Sequence, residues 1–185
     1  MKRALLVIDV QNEYFTGRMP VSYPAGSFDN ILKAVDAAKQ AQIPVILIRH
    51  GSPQPDATVF VKGSAGWEIH AALSAKAHLR IIDKHLPGSF TGTDLEDCLR
   101  SLGVDTVVIS GYMTQMCCDT TARQAVHLGF SAEFLSDATG TLDIANYAGS
   151  VSAADLHKAI LITQAMRFSK VMSTDEWIVA IAAAR

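Results

Sequence analysis

The 185-residue sequence has no apolar run approaching the roughly 18 residues that a membrane helix needs, so no membrane partner is expected. Neither sign of charge is in excess: 16 Lys and Arg stand against 18 Asp and Glu. A net charge of −2 excludes a nucleic-acid partner gripped through its phosphates. Cysteine is scarce. Cys98, Cys117 and Cys118 are odd in number and two are adjacent, which rules out a disulfide framework and makes a reducing cytoplasm the expected location. The basic start Met1-Lys2-Arg3 leads into a short apolar run, as in a signal peptide. Asp9 interrupts that run and no small-residue cleavage site follows, so a buried strand is expected there instead. Gly63-Ser64-Ala65-Gly66 has neither the Walker pattern nor the dinucleotide fingerprint. The six histidines (His50, His70, His78, His85, His127 and His157) include no pair at metal-ligand spacing. Neither a metal nor a cofactor is expected.

What is present is a strongly apolar chain, 49% hydrophobic and 18% charged, long enough for one domain over 1–185. Its apolar runs alternate with helical patterns. Strands are expected over Arg3 to Val10, Val45 to Arg49, Leu79 to Asp83, Thr106 to Ser110, Ser131 to Leu135 and Lys170 to Met172. Helices are expected over Phe28 to Gln42, with Ser27 or Asp29 near the N-cap, and over Trp67 to Leu73. A further helix follows from Asp94 to Leu102, where Thr93-Asp94-Leu95-Glu96 fits a capping box. The remaining helices run from Gln115 to Leu128, from Ser152 to about Met166, and from a Thr174 cap to Ala184. Gly51 to Gly66 and Asp137 to Val151 read as loops. Alternating strands and helices imply a three-layer α/β/α fold with a six-stranded parallel sheet, Rossmann-like in arrangement.

In open parallel sheets, sites form at the carboxyl ends of the strands. Asp9, His50, Lys84 and the turn Gly111 to Cys117 fall there. Cys117 lies where a strand hands over to a helix. Free N–H groups and the helix dipole at such a turn favour a thiolate over a thiol. A neighbouring carboxylate can take the thiol proton and a neighbouring ammonium can stabilise the thiolate. Backbone N–H groups at the turn can hold the oxyanion of a tetrahedral intermediate. Asp9, Lys84 and Cys117 are therefore the candidate catalytic residues. Cys118 is assigned to packing, and Cys98 to the core side of its helix. Trp67, Tyr112, His85 and Phe15 are candidate substrate-binding residues near the same edge, with His50, Tyr14 and Phe90 close by.

At these residues the chain resembles the cysteine hydrolases of the isochorismatase-like superfamily. The resemblance spans essentially the whole sequence. It rests on Leu6-Val7-Ile8-Asp9-Val10-Gln11-Asn12, Gly63-Ser64-Ala65-Gly66-Trp67-Glu68-Ile69-His70, Thr91-Gly92-Thr93-Asp94-Leu95 and the segment Gly111 to Ala122. It implies an Asp9–Lys84–Cys117 triad and a non-proline cis peptide before Met113. The N–H groups of Met113 and Cys117 would then form the oxyanion hole. It also implies a homo-oligomer, dimer or tetramer, acting on a small-molecule substrate. Nicotinamidases of the family carry an Asp-x-His metal motif where this chain reads Arg49-His50-Gly51-Ser52-Pro53. Isochorismatases themselves lack the cysteine. The expected activity is thus metal-independent hydrolysis of a C–N bond in a small amide or ureide through a covalent acyl-enzyme. The alternatives are another electrophile at the same sulfur (an ester, lactam or hydrazide) and a catalytically silent binding or scaffold protein on the same fold.

Overall fold

The first strand explains the architecture. β1 (Arg3–Ile8) is apolar from Ala4 to Ile8 and buried along that length, which only a central strand covered on both faces can be. In the computed structural model, which describes residues 1–183, it is flanked by β2 (Val45–His50) and β4 (Thr106–Tyr112). β3 (Arg80–Lys84) lies outside β2, while β5 (Ser131–Gly140) and β8 (Lys170–Met172) continue beyond β4. The order is β3-β2-β1-β4-β5-β8, and every pairing is parallel. Alternate residues of the central strands feed two cores. Leu5, Val7, Leu47 and Val108 pack on one face with Ile31, Val35 and Trp177, and Leu6, Ile8, Ile46 and Ile109 pack on the other with Leu95, Leu99 and Ala122. The chain reverses its direction of travel across the sheet between β1 and β4, the place where such sheets open a crevice.

The helices are α1 (Ser27–Gln40), α2 (Ala71–Ser74), α3 (Leu95–Ser101), α4 (Asp119–His127), α5 (Ala153–Thr163) and α6 (Thr174–Ala183). The expected end of the last helix at Ala184 lies outside the described residues. None of these helices is long and apolar enough to cross a membrane.

Several boundaries differ from the sequence reading, each for a local reason. Gly26, at φ +78°, is the N-cap of α1, and the Ser27 hydroxyl is engaged by Tyr112. His70 caps α2 by accepting from Ala72 N–H, so Trp67 stays in the loop before it. The expected capping box of α3 does not form. Asp94 is the cap residue, and Glu96 pairs with Arg100. A capping box does open α6, but on Ser173, whose hydroxyl and N–H exchange hydrogen bonds with Glu176. Cys98 is only half-buried on α3. The segment expected as a loop over Asp137 to Val151 holds the last part of β5 and an antiparallel hairpin, β6 (Ile144–Asn146) with β7 (Gly149–Val151).

Candidate active site

Parallel register brings three strand ends together. Ile8 lies opposite Ile48 and Gly111, and His50 lies opposite Lys84. Asp9 is the first residue beyond β1, and Lys84 is the last of β3. Between them stands β2, so the lysine must span two strand spacings, roughly 10 Å between backbones. Only a long side chain bridges that gap. Asp9 turns inward at φ +53°, a left-handed conformation that Asp tolerates better than most residues. Gly111 permits the close approach of β4. At φ +109° its Cβ would sit 2.0 Å from the Ile8 carbonyl oxygen, so no side chain fits between β4 and the residue that precedes Asp9.

The Lys84 Nζ lies 2.7 Å from Asp9 Oδ2 and 3.3 Å from Cys117 Sγ. It also donates to the Leu86 carbonyl at 3.1 Å and stands 3.5 Å from His50 Nδ1. The Asp9 and Lys84 side chains have no exposed surface. Both Asp9 oxygens are buried, and the Lys84 ammonium and the Cys117 thiol interact with this carboxylate. The ammonium is held to the carboxylate at 2.7 Å, and the Cys117 thiol proton lies within the reach of the same carboxylate. Burial lowers the Lys84 pKa, but the Asp9 carboxylate and the Cys117 sulfur outweigh it and raise the pKa overall. The lysine stays charged.

Cys117 sits in a π-helical turn, Thr114–Cys118, between β4 and α4. The Met113 carbonyl accepts from the N–H groups of Met116 and Cys118 and so ties the turn to its own start. The peptide bond between Tyr112 and Met113 is cis. Burial and the Asp9 carboxylate push the Cys117 thiol well up, and Lys84 opposes them only in part. Against the turn's pull toward a thiolate stand dehydration and a neighbouring anion, which raise the thiol's pKa. The arrangement suits a thiol that loses its proton to Asp9 as it attacks, beside an ammonium that receives the new negative charge. Cys118 is fully buried in the core.

A model of the isochorismatase domain matches residues 3–176. The chain belongs to the isochorismatase family. This isochorismatase-family hydrolase is 43% identical to a structurally solved protein of Burkholderia xenovorans LB400 assigned to the isochorismatases, with a TM-score of 0.95 over 98% of this chain and 88% of that one. A cysteine hydrolase from Pseudomonas syringae pv. phaseolicola gives a TM-score of 0.86 at 30% identity, covering 100% of this chain and 94% of that chain. The isochorismatase family protein YddQ of Bacillus subtilis (strain 168) is 32% identical over 96% of this chain and 99% of its own length. The six-stranded parallel α/β/α fold expected from the sequence is the fold of these structures.

The family member's other candidate residues are placed unequally. Trp67 is buried under the Arg49 guanidinium, 3.5 Å from its ring centre, and its indole nitrogen faces Gly51. His85 is exposed, with Nδ1 2.7 Å from the Gly51 carbonyl oxygen. Tyr112, expected in a turn, is the last residue of β4. It is buried in the core with its hydroxyl on Ser27, 3.1 Å away. Phe15 packs between His70, Phe28 and Tyr112. The Tyr112 ring lies 5.6 Å from that of Tyr14 and 5.9 Å from that of Phe15. Tyr14 responds electrostatically to Cys117 and Asp9. Burial first, and then those two groups, hold its hydroxyl well above the usual phenol range. Phe60 bridges Tyr14 and His50 by ring contacts at 5.2 and 5.3 Å.

Two contributions were not legible as roles. Gln11 is fully buried and exchanges hydrogen bonds with both backbone groups of His50, and it also donates to the Trp67 carbonyl at 2.7 Å. It locks the ends of β1 and β2 to the Trp67 loop, and its only sequence signal is its place two residues after Asp9. Phe60 lies in a loop whose composition says nothing of its direction. Among the described residues no group of three or more His, Cys, Asp and Glu is arranged to hold a metal ion.

Proposed function

We propose that the protein is a cysteine-dependent hydrolase that cleaves a C–N bond of a small amide or ureide through a thioester intermediate. The observation that carries this reading is one ammonium within 2.7 Å of a buried carboxylate and 3.3 Å of a buried sulfur. Family relatives named nicotinamidase, streptothricin hydrolase and ureidoacrylate amidohydrolase support the class of bond.

Asp9 takes the Sγ proton as Cys117 attacks the carbonyl carbon. The N–H groups of Met113 and Cys117 hold the oxyanion. The C–N bond breaks, and the Asp9 carboxyl returns its proton to the departing nitrogen. Water then attacks the thioester, Asp9 takes its proton, the C–S bond breaks and the sulfur is reprotonated. Lys84 keeps carboxylate and sulfur in register throughout. Tyr14, Phe60, His50, Trp67 and His85 form the wall around the acyl group, backed by Tyr112 and Phe15. The working form is a homo-oligomer, dimer or tetramer, which native mass determination checks.

Ammonia or amine release across a panel of small amides and ureides tests the reading, with Cys117→Ala and Cys117→Ser alongside. Release should fall by about 100-fold or more in both variants while the circular dichroism spectrum is kept. Equal release by wild type and Cys117→Ala overturns the proposal. Turnover of esters alone, lost in Cys117→Ala, moves the reading to another electrophile at the same sulfur.

A further inference from the structure

His157 is a buried titratable residue that the proposed chemistry does not use. It lies on α5, 4% exposed, and both ring nitrogens are engaged. Nε2 is 2.9 Å from the Ser136 carbonyl oxygen in β5, and Nδ1 is 2.8 Å from the Thr114 hydroxyl. A carbonyl can only accept, so Nε2 carries the hydrogen. In the neutral ring Nδ1 must then accept, and Thr114 donates to it. Burial holds the imidazole pKa below its usual value, against the pull of the Ser136 carbonyl, so the ring is neutral near pH 7. The ring makes a T-shaped contact with Tyr23, 5.5 Å between centroids.

Thr114 is fully buried and opens the turn that carries Cys117. Its neighbour is Met113, whose N–H is assigned to the oxyanion hole. The Lys84 ammonium meets the turn at the Cys117 sulfur and the Thr141 hydroxyl meets it at the Met113 sulfur, 3.9 Å away, while Thr114 is its first residue. The Thr114–His157–Ser136 chain ties the first residue of the turn, through side chains, to a helix and a strand distant in sequence.

We propose that His157 is a positioning residue, which through the Thr114 hydroxyl fixes the Met113–Cys117 turn in the geometry that receives the oxyanion. The inference rests on the hydrolase reading above. Donors at an oxyanion site act only over a narrow range of distance, and a displacement of about 1 Å costs on the order of 100-fold in rate. Alkylation of the same sulfur by iodoacetamide generates no oxyanion. The two reactions therefore separate the alignment of the turn from the mere presence of the thiol.

The probes are p-nitrophenyl acetate, for Cys117-dependent burst acylation, and iodoacetamide, for alkylation of Cys117 followed by peptide mass. In His157→Leu and Thr114→Val the acylation rate constant should fall roughly 10- to 100-fold. The alkylation rate should stay within about twofold, since no oxyanion forms. Thr114→Ser, which keeps the donor, should retain the acylation rate. The double variant His157→Leu/Thr114→Val should be no slower than the slower single, because both substitutions break one chain. Thr114→Val, nearly isosteric, keeps the test open where His157→Leu fails to fold. Unchanged acylation in a folded Thr114→Val or His157→Leu overturns the inference. So does a parallel loss of acylation and alkylation, or a multiplicative double variant. A wild type with no Cys117-dependent acylation by p-nitrophenyl acetate and no Cys117-dependent release from the amide and ureide panel overturns the hydrolase reading and the positioning role with it, whereas an active wild type matched by its variants overturns the positioning role alone.

Discussion

A lysine ammonium with no exposed surface persists only among groups that replace its water, and Lys84 has them in the Asp9 carboxylate, the Leu86 carbonyl and the Cys117 sulfur. The pair is coupled, so removing one member should be worse than removing both. Lys84→Met leaves a buried carboxylate with no cation, and Asp9→Asn leaves a buried ammonium with one carbonyl and a thiol. Each should lose about 3–5 kcal/mol of stability. The double variant Asp9→Asn/Lys84→Met should recover part of that loss, because no uncompensated charge remains. Urea unfolding of the four proteins reads the coupling, and losses that simply add would show that the charges do not stabilise each other. All three variants should be inactive, which separates the stability of the site from its chemistry.

Secondary-structure elements deliver these residues, and the closest fit among them is where β4 passes β1. Gly111→Ala combines φ +109° with a Cβ 2.0 Å from the Ile8 carbonyl oxygen, so the backbone of one strand must move. A loss of roughly 3 kcal/mol or more is expected in thermal or urea unfolding, and activity should fall further as Asp9 shifts with Ile8. Gly129→Ala, also at positive φ but with open space around its Cβ, should lose far less. The strands were readable because apolar runs such as Ala4 to Ile8 are too short for a buried helix and too apolar for a surface loop. The meeting of Asp9, Lys84 and Cys117 followed from their places at strand ends. What the sequence hid depends on tertiary surroundings. The β6–β7 hairpin is short, with every residue but Ile144 exposed, so no alternation marks it. The π-helical register of Thr114–Cys118 is a hydrogen-bond pattern with no residue signature. The cap of α6 moved to Ser173 because the Thr174 N–H and hydroxyl are taken by Asp137 of β5. The direction of the Cys117 pKa could not be read either, since it turns on how deeply the sulfur is buried and on which charge lies nearer.

Across the whole molecule, burial keeps several acidic side chains in their neutral forms, and this couples the fold to alkaline pH. Cys117, Cys118 and Tyr14 are all held well above their ordinary values, with burial the leading cause. Tyr112 gives a numerical case. Burial, opposed by its hydrogen bond to Ser27, raises its pKa from 10.0 to about 12. The folded chain therefore binds this proton more tightly than the unfolded chain. The resulting stabilisation is complete below pH 10 and is lost as pH rises through about 12. A shift of that size corresponds to roughly 2–3 kcal/mol. Tyr112→Phe removes the titrating hydroxyl and its bond to Ser27, so at pH 8 the variant should be about 1 kcal/mol less stable than wild type. Wild type then has a proton to lose that the variant lacks. Between pH 10 and 12 the difference should shrink and reverse, while lysines and the other phenols titrate alike in both proteins and cancel. Urea midpoints at stepped pH supply the measurement. A difference that stays constant across that range would mean that the Tyr112 hydroxyl ionises as readily in the folded chain as in water, and that the aromatic layer around Tyr14 is hydrated.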